Sequence, residues 1–158
     1  MKKFIAAFDS LRFSESTLEY AIFLTKHVNA HLVGVFLEDC IRHSYTVADI
    51  TKYEGEGFDK HMHELDEKDK EERDVSVAKF EQACQNAGIN YTVHRDRNVA
   101  IQELLHESIY ADLVIISEDE TVTRYEEAAP TRFVREFLND VQCPVVIVPP
   151  KYRPGDKI

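Results

Sequence analysis

The sequence predicts an α/β fold: a three-layer α/β/α sandwich around a five-stranded parallel sheet. Three observations carry this. Strand-like and helix-like stretches alternate from end to end. The stretches "KKFIAAF", "DLVIIS" and "PVVIV" are almost continuously apolar, the pattern of strands covered on both faces. The chain has 158 residues, which suits one domain with a sizeable core.

Strand 1 is "KKFIAAF" and ends at Asp9. A helix follows, with two competing N-caps: Ser16, three residues before Glu19, has capping-box spacing, and Ser14 is the other. Leu18, Ala21, Ile22 and Val28 recur at helical spacing, so this helix runs to about His27, with Asn29 as a left-handed stop. Strand 2 is "HLVGVFLE". Residues 40 to 74 are the least regular part, and "YEGEGF" reads as a loop. The polar stretch "DKHMHELDEKDKEERD" is a solvated face, a mobile arm or a partner-docking helix. It joins a helix whose apolar side is Val77, Phe80, Cys84 and Ala87, stopped by Gly88. Strand 3 is "NYTVHR". The next helix shows Ala100, Ile101, Leu104, Leu105 and Ile109 on one face. Strand 4 is "DLVIIS". The last helix, about 131 to 141, buries Phe133, Val134, Phe137, Leu138 and Val141. Strand 5, "PVVIV", is closed by Pro149 and Pro150. Residues 1–150 form the single expected domain, and 151–158 are a short polar tail.

Composition excludes several classes. Net charge is −10, and no Lys/Arg stripe with interleaved aromatics is present, which argues against nucleic acid and anionic membranes as partners. Apolar runs such as "LVII" and "VVIV" are far shorter than the roughly 18 residues of a membrane span. "MKKFIAAF" runs into polar "DSLRFSES" without an h-region, so the expected compartment is the cytoplasm. Cys40, Cys84 and Cys143 are odd in number and far apart, as free thiols rather than a disulfide framework or zinc knuckle. His61-x-His63 points its rings to different helix faces, and His63–Glu67 and His27–His31 lack a third ligand. No G-x-S-x-G, H-E-x-x-H, Walker or G-x-G-x-x-G motif occurs, so no catalytic residue is assigned.

In a parallel sheet ligands sit at the carboxyl ends of strands near the switch in strand order, here Asp9 and the loop after strand 4. That loop, "SEDETVTRYEEAAPT", carries Glu118, Asp119, Glu120, Glu126 and Glu127 against one base, Arg124.

Nearly the whole chain resembles the universal stress protein family, which has a Rossmann-like, adenine-nucleotide-hydrolase-like fold. The opening "FIAAFDSLRFSESTLEYAIFLT", with its Asp, Ser-rich turn and helix, is similar to the family's start. "ADLVIIS" and "CPVVIVPP" are similar to its fourth and closing strands. The resemblance implies a cytoplasmic, non-enzymatic stress-response protein. It also implies a homodimer through antiparallel pairing of strand 5 (Val145, Val146, Ile147, Val148). Nucleotide-binding members carry G-x-x-G, nine residues, then G-[S/T]. That spacing survives here, with Ser117, Glu120 and Pro130 in place of the three glycines and Thr131 at the Ser/Thr. Glycine lets backbone N–H groups approach phosphate. Pro130 has no N–H, and Glu120 brings bulk and charge. Two like unit charges 4 Å apart repel by ~4 kcal/mol near a protein surface, and micromolar affinity is only about 8 kcal/mol. The first turn departs too, the family's Asp-Gly-Ser being Asp9-Ser10-Leu11.

The expectation is therefore a vestigial nucleotide site at Asp9, Ser117, Glu120, Pro130 and Thr131, with no cofactor and no ATP binding. Function would then run through an unknown protein partner or a small non-phosphate ligand at Phe36 and Asp9. Two alternatives stand beside it. One is ATP/AMP binding with slow hydrolysis, Asp9 and Thr131 keeping their family roles and Mg²⁺ offsetting the acids. The other is a metal site on Glu118, Asp119 and Glu120, against the plainer reading of those acids as a solvated turn. A response-regulator-like fold would want clustered acids after strand 1 and a lysine after the last strand. Asp9 stands alone, although Lys151 lies close behind strand 5.

Overall fold

The computed structural model describes residues 1–39, 44–51, 57–123, 125–151 and 154. Cys40, Arg124, most of "YEGEGF" and most of the tail lie outside the described residues.

Five strands form one parallel sheet: β1 (Lys3–Asp9), β2 (His31–Leu37), β3 (Asn90–Asp96), β4 (Leu113–Ser117) and β5 (Val145–Val148). The helices are α1 (Glu15–Val28), α2 (Val47–Thr51), α3 (Gly57–Ala87), α4 (Ala100–Ser108) and α5 (Arg132–Asp140). The sheet order is β3-β2-β1-β4-β5, so strand order reverses between β1 and β4. The 2-1-3-4-5 order of flavodoxin-like proteins, response regulators among them, is not this one.

Alternation divides the continuous apolar runs between two cores. Phe4, Ala6 and Phe8 of β1 turn to one face, with Leu18 and Ala21 of α1 and Phe80 and Cys84 of α3. Ile5 and Ala7 turn to the other, with Ala100 and Leu104 of α4 and Val134 and Phe137 of α5. Each large buried side chain contributes about 1.5–3 kcal/mol, so β1 is anchored from both sides. On the first face Phe8 stacks on Phe13 at 4.8 Å and on Phe36 at 5.3 Å, and Phe80 meets Phe36 edge-on at 5.7 Å. Gly34 of β2 makes room for that ring, because a Cβ there would stand 2.6 Å from Phe80 Cζ.

The helix ends follow their local chemistry. Ser14, not Ser16, caps α1: its hydroxyl accepts from the Thr17 backbone N–H, while Ser16 donates to the Pro149 carbonyl at 3.1 Å. Asn29 stops α1 in the left-handed region (φ 52°), which separates His27 from His31. Gly88 does the same after α3 (φ 66°). Val28, Ile109 and Leu138, expected inside, are exposed. Each lies at or beyond its helix's last turn, or on the flank of a stripe that Val134 and Phe137 already fill. Residues 57–74 are not a separate arm but the first half of α3, whose 31 residues span about 46 Å. Tyr45 donates to Asp66 at 2.5 Å and the Ser44 N–H to Asp69 at 3.0 Å, which ties that half to the segment before α2. No described helix is long and apolar enough to cross a membrane.

Two substitutions test this packing. Gly34→Ala should lower stability by about 1–3 kcal/mol in denaturant unfolding, because the Phe80 ring has no slack. Val99 caps α4 with no side-chain hydrogen bond and is exposed. Val99→Asp should therefore raise stability by about 1 kcal/mol, a Tm gain of roughly 2–4 °C.

Candidate functional site

The switch point brings the end of β1 against the loop after β4. Asp9, the last residue of β1, is fully buried, and its carboxylate accepts the Leu11 N–H at 2.9 Å. This closes an Asx turn that reverses the chain toward α1. The Ser10 carbonyl accepts from Ser76 of α3 at 2.6 Å. Beside it Glu38, just past β2, is buried and receives Arg95 Nε at 2.6 Å and the Ser10 hydroxyl at 3.4 Å. Neither Asp9 nor Phe36 lines either of the two cavities described below; both are core residues.

The acids after β4 are not a uniform solvated turn. Ser117, at the end of β4, is buried and donates its hydroxyl to the Asp119 carboxylate. Asp119 is also paired with Arg12 of the first turn at 3.0 Å. Glu118 anchors through its backbone, whose N–H donates to the Val148 carbonyl at 3.0 Å. Glu120 turns inward and is only 4% exposed. Its carboxyl accepts the Asp9 N–H at 3.4 Å and the Val122 N–H at 3.2 Å. Val122 takes a left-handed backbone (φ 53°), which a β-branched residue adopts only under constraint.

Thr131 donates its hydroxyl to the Glu120 carbonyl and accepts the Val134 N–H at 3.2 Å, capping α5. The next amide, that of Arg132, points at Glu127, whose carboxylate accepts it at 2.8 Å. A helix N-terminus is where a phosphate would be held. Here a side chain of the same loop stands in that place. Pro130 is exposed and contributes no donor. The acid-only metal site has no geometry behind it. Asp119 is held by Arg12 and Glu120 faces inward, and no group of three or more ligand-type side chains is placed around a point among the described residues.

Thus the structure brings Asp9, Glu120 and Thr131 together, with Ser117 one step away through Asp119. Sequence reasoning missed Arg12 and Glu127. The five-to-one acid count concealed that one acid has a base from another turn and a second caps a helix.

Two cavities open at this end of the sheet. One, about 260 Å³, lies between the β1–α1 turn and Asp119 and Glu120. The other, about 450 Å³, lies over the α4/α5 face between Tyr45, the start of α4, Val122 and Phe133.

No family model and no curated protein matches the chain. Solved structures do. Universal stress protein UspA from Lactobacillus plantarum is 12% identical with a TM-score of 0.64, covering 93% of this chain and 97% of that one. A universal stress protein family member from Burkholderia pseudomallei is 17% identical with a TM-score of 0.60, covering 94% and 96%. The fold is that of the universal stress proteins. A third such protein, from Arabidopsis thaliana and solved with AMP bound, is 10% identical with a TM-score of 0.56, covering 99% and 94%.

Burial pushes the Glu120 carboxyl up to about 8, with the neighbouring Asp9 carboxylate adding to the shift and the two backbone N–H groups opposing it. A group whose folded pKa is raised contributes stability that is complete below its unfolded pKa and is lost as pH rises through the folded one. Between pH 5 and pH 8.5 the protein should therefore lose stability, on the order of 1–3 kcal/mol from this group. Glu120→Gln should flatten that part of the slope. Equal slopes for both proteins in urea unfolding across the range would refute the assignment.

Proposed function

We propose that this chain is a cytoplasmic, non-enzymatic universal stress protein that does not bind ATP. One observation carries the reading: backbone amides at the switch point and at the start of α5, where a phosphate would be held, already face the protein's own carboxyls. The N–H groups of Asp9 and Val122 reach Glu120, and that of Arg132 reaches Glu127. The Thr131 hydroxyl is likewise engaged, with the Glu120 carbonyl. A triphosphate would have to displace these partners and then sit beside the carboxylates of Asp119 and Glu127, each close pair repelling by ~4 kcal/mol near the surface. The likeness of fold to universal stress proteins supports the assignment, and the Arabidopsis protein of that fold, solved with AMP bound, shows the ligand class at issue.

Calorimetric titration of ATP with Mg²⁺ into the purified protein should give no heat of binding, and the heat-denatured supernatant should hold no nucleotide. A Kd tighter than about 100 μM would overturn the reading.

The same proposal includes a homodimer through β5. That strand is a sheet edge, and Val145, Val146 and Ile147 are half-buried, an apolar edge that invites pairing. Light scattering at micromolar concentration should give about twice the 18.3 kDa chain mass. A monomer would count against the dimer.

A further inference from the structure

We infer that the 450 Å³ cavity over the α4/α5 face is a binding site for an uncharged, largely apolar organic molecule. Its volume falls within the roughly 300–1,000 Å³ of small-molecule sites. Val47, Ile50, Ile101, Val122, Tyr125 and Phe133 supply the apolar wall. Three of them or their neighbours at the rim are large apolar groups left in water: Val47 is 69% exposed, Val99 50% and Tyr125 64%. Large apolar groups gathered round one opening mark a binding site, where single scattered ones would not.

The polar lining gives the ligand class. Tyr45 donates to Asp66 at 2.5 Å, and Thr46 bonds Asp49 through its hydroxyl at 2.9 Å. Thr121 donates to the Thr123 carbonyl at 3.0 Å, and Thr123 to the Thr121 hydroxyl at 3.2 Å. Glu136 receives Arg132 Nε at 2.7 Å, and Asp39 is not free either. Among the described residues no Lys, Arg or His lines the cavity. The described lining offers a phosphate or carboxylate no cationic partner and an ammonium no free carboxylate, and its apolar wall provides the affinity by burial. The strained backbone of Val122 fits this picture. Glu120 holds the Val122 amide, and the left-handed turn sets the residue's side chain in the cavity wall.

The inference rests on the reading that this end of the sheet has given up nucleotides. The test is fluorescence titration with N-phenyl-1-naphthylamine, an uncharged apolar probe, with and without Mg²⁺-ATP. The expected result is saturable binding at one probe per chain, with micromolar Kd. Val99→Asp puts a charge on the rim at a position where it should not harm folding, and should weaken the probe at least tenfold. Tyr125→Ala should weaken it several-fold. Tyr110→Asp, an equally exposed ring beyond the other end of α4, should bind as the parent does. Absence of saturable binding, or Val99→Asp binding unchanged, overturns the inference. So does competitive displacement by ATP, which would make this a nucleotide site. ATP binding by calorimetry without displacement leaves the cavity inference standing and overturns only the proposed loss of nucleotide.

Discussion

The inward carboxyl of Glu120 is the constraint on which this end of the molecule depends. Where the order of a parallel sheet reverses, loops diverge to opposite faces and backbone amides are left pointing into the crevice between them. Each amide needs an acceptor. Many proteins leave that acceptor to a ligand. In this chain Glu120 accepts from the end of β1 and from its own loop, and so joins two segments 111 residues apart in sequence.

The remaining geometry follows from that junction. With the Glu120 side chain turned inward, its carbonyl takes the Thr131 hydroxyl, which also caps α5. Capping fixes where α5 begins, and its first amide then meets Glu127. A carboxylate at a helix N-terminus interacts favourably with the helix dipole as well as with the amide. Arg12 draws Asp119 back toward the first turn. The loop that carries most of the site's acids therefore has three of them engaged in directed contacts, at Asp119, Glu120 and Glu127. The acids that dominate the loop's composition are also the side chains that organise it.

Much of the fold was legible in the sequence, because parallel strands buried on both faces leave long apolar runs that little else produces. β1, β4 and β5 were found that way, and Asn29 and Gly88 marked helix ends through the left-handed backbone they tolerate. Burial at helix ends was less legible. Periodicity places Ile109 and Leu138 on an apolar stripe, but Ile109 lies just past the end of α4 and Leu138 lies beside a stripe that Val134 and Phe137 fill. Continuity of α3 through residues 57–74 was hidden for a related reason: a helix that leaves the core carries no apolar period. The frame of the site was visible as the spacing of Ser117, Glu120, Pro130 and Thr131. The direction of Glu120 was not. A loop has no period, and nothing in the sequence separates an acid that faces water from one that faces an amide of β1.

That direction changes what the site responds to. A protein with open amides at a switch point is stabilised by ligand in proportion to RT ln(1 + [L]/Kd). Here an acceptor is built in. The acceptor is also buried beside a second carboxyl, and its own proton becomes the variable. The stability that its proton confers is complete only below the ordinary carboxyl range and is lost as pH rises toward about 8, where Glu120 ionises in the folded protein. Above that, a negative charge must be kept inside the protein next to Asp9 with two amides to support it. Two neutral amide hydrogen bonds, at about 0.5–1.5 kcal/mol each and somewhat more to an ion, do not offset the burial of a charge. The junction thereby answers to the proton, and the opening beside it is walled largely by apolar side chains.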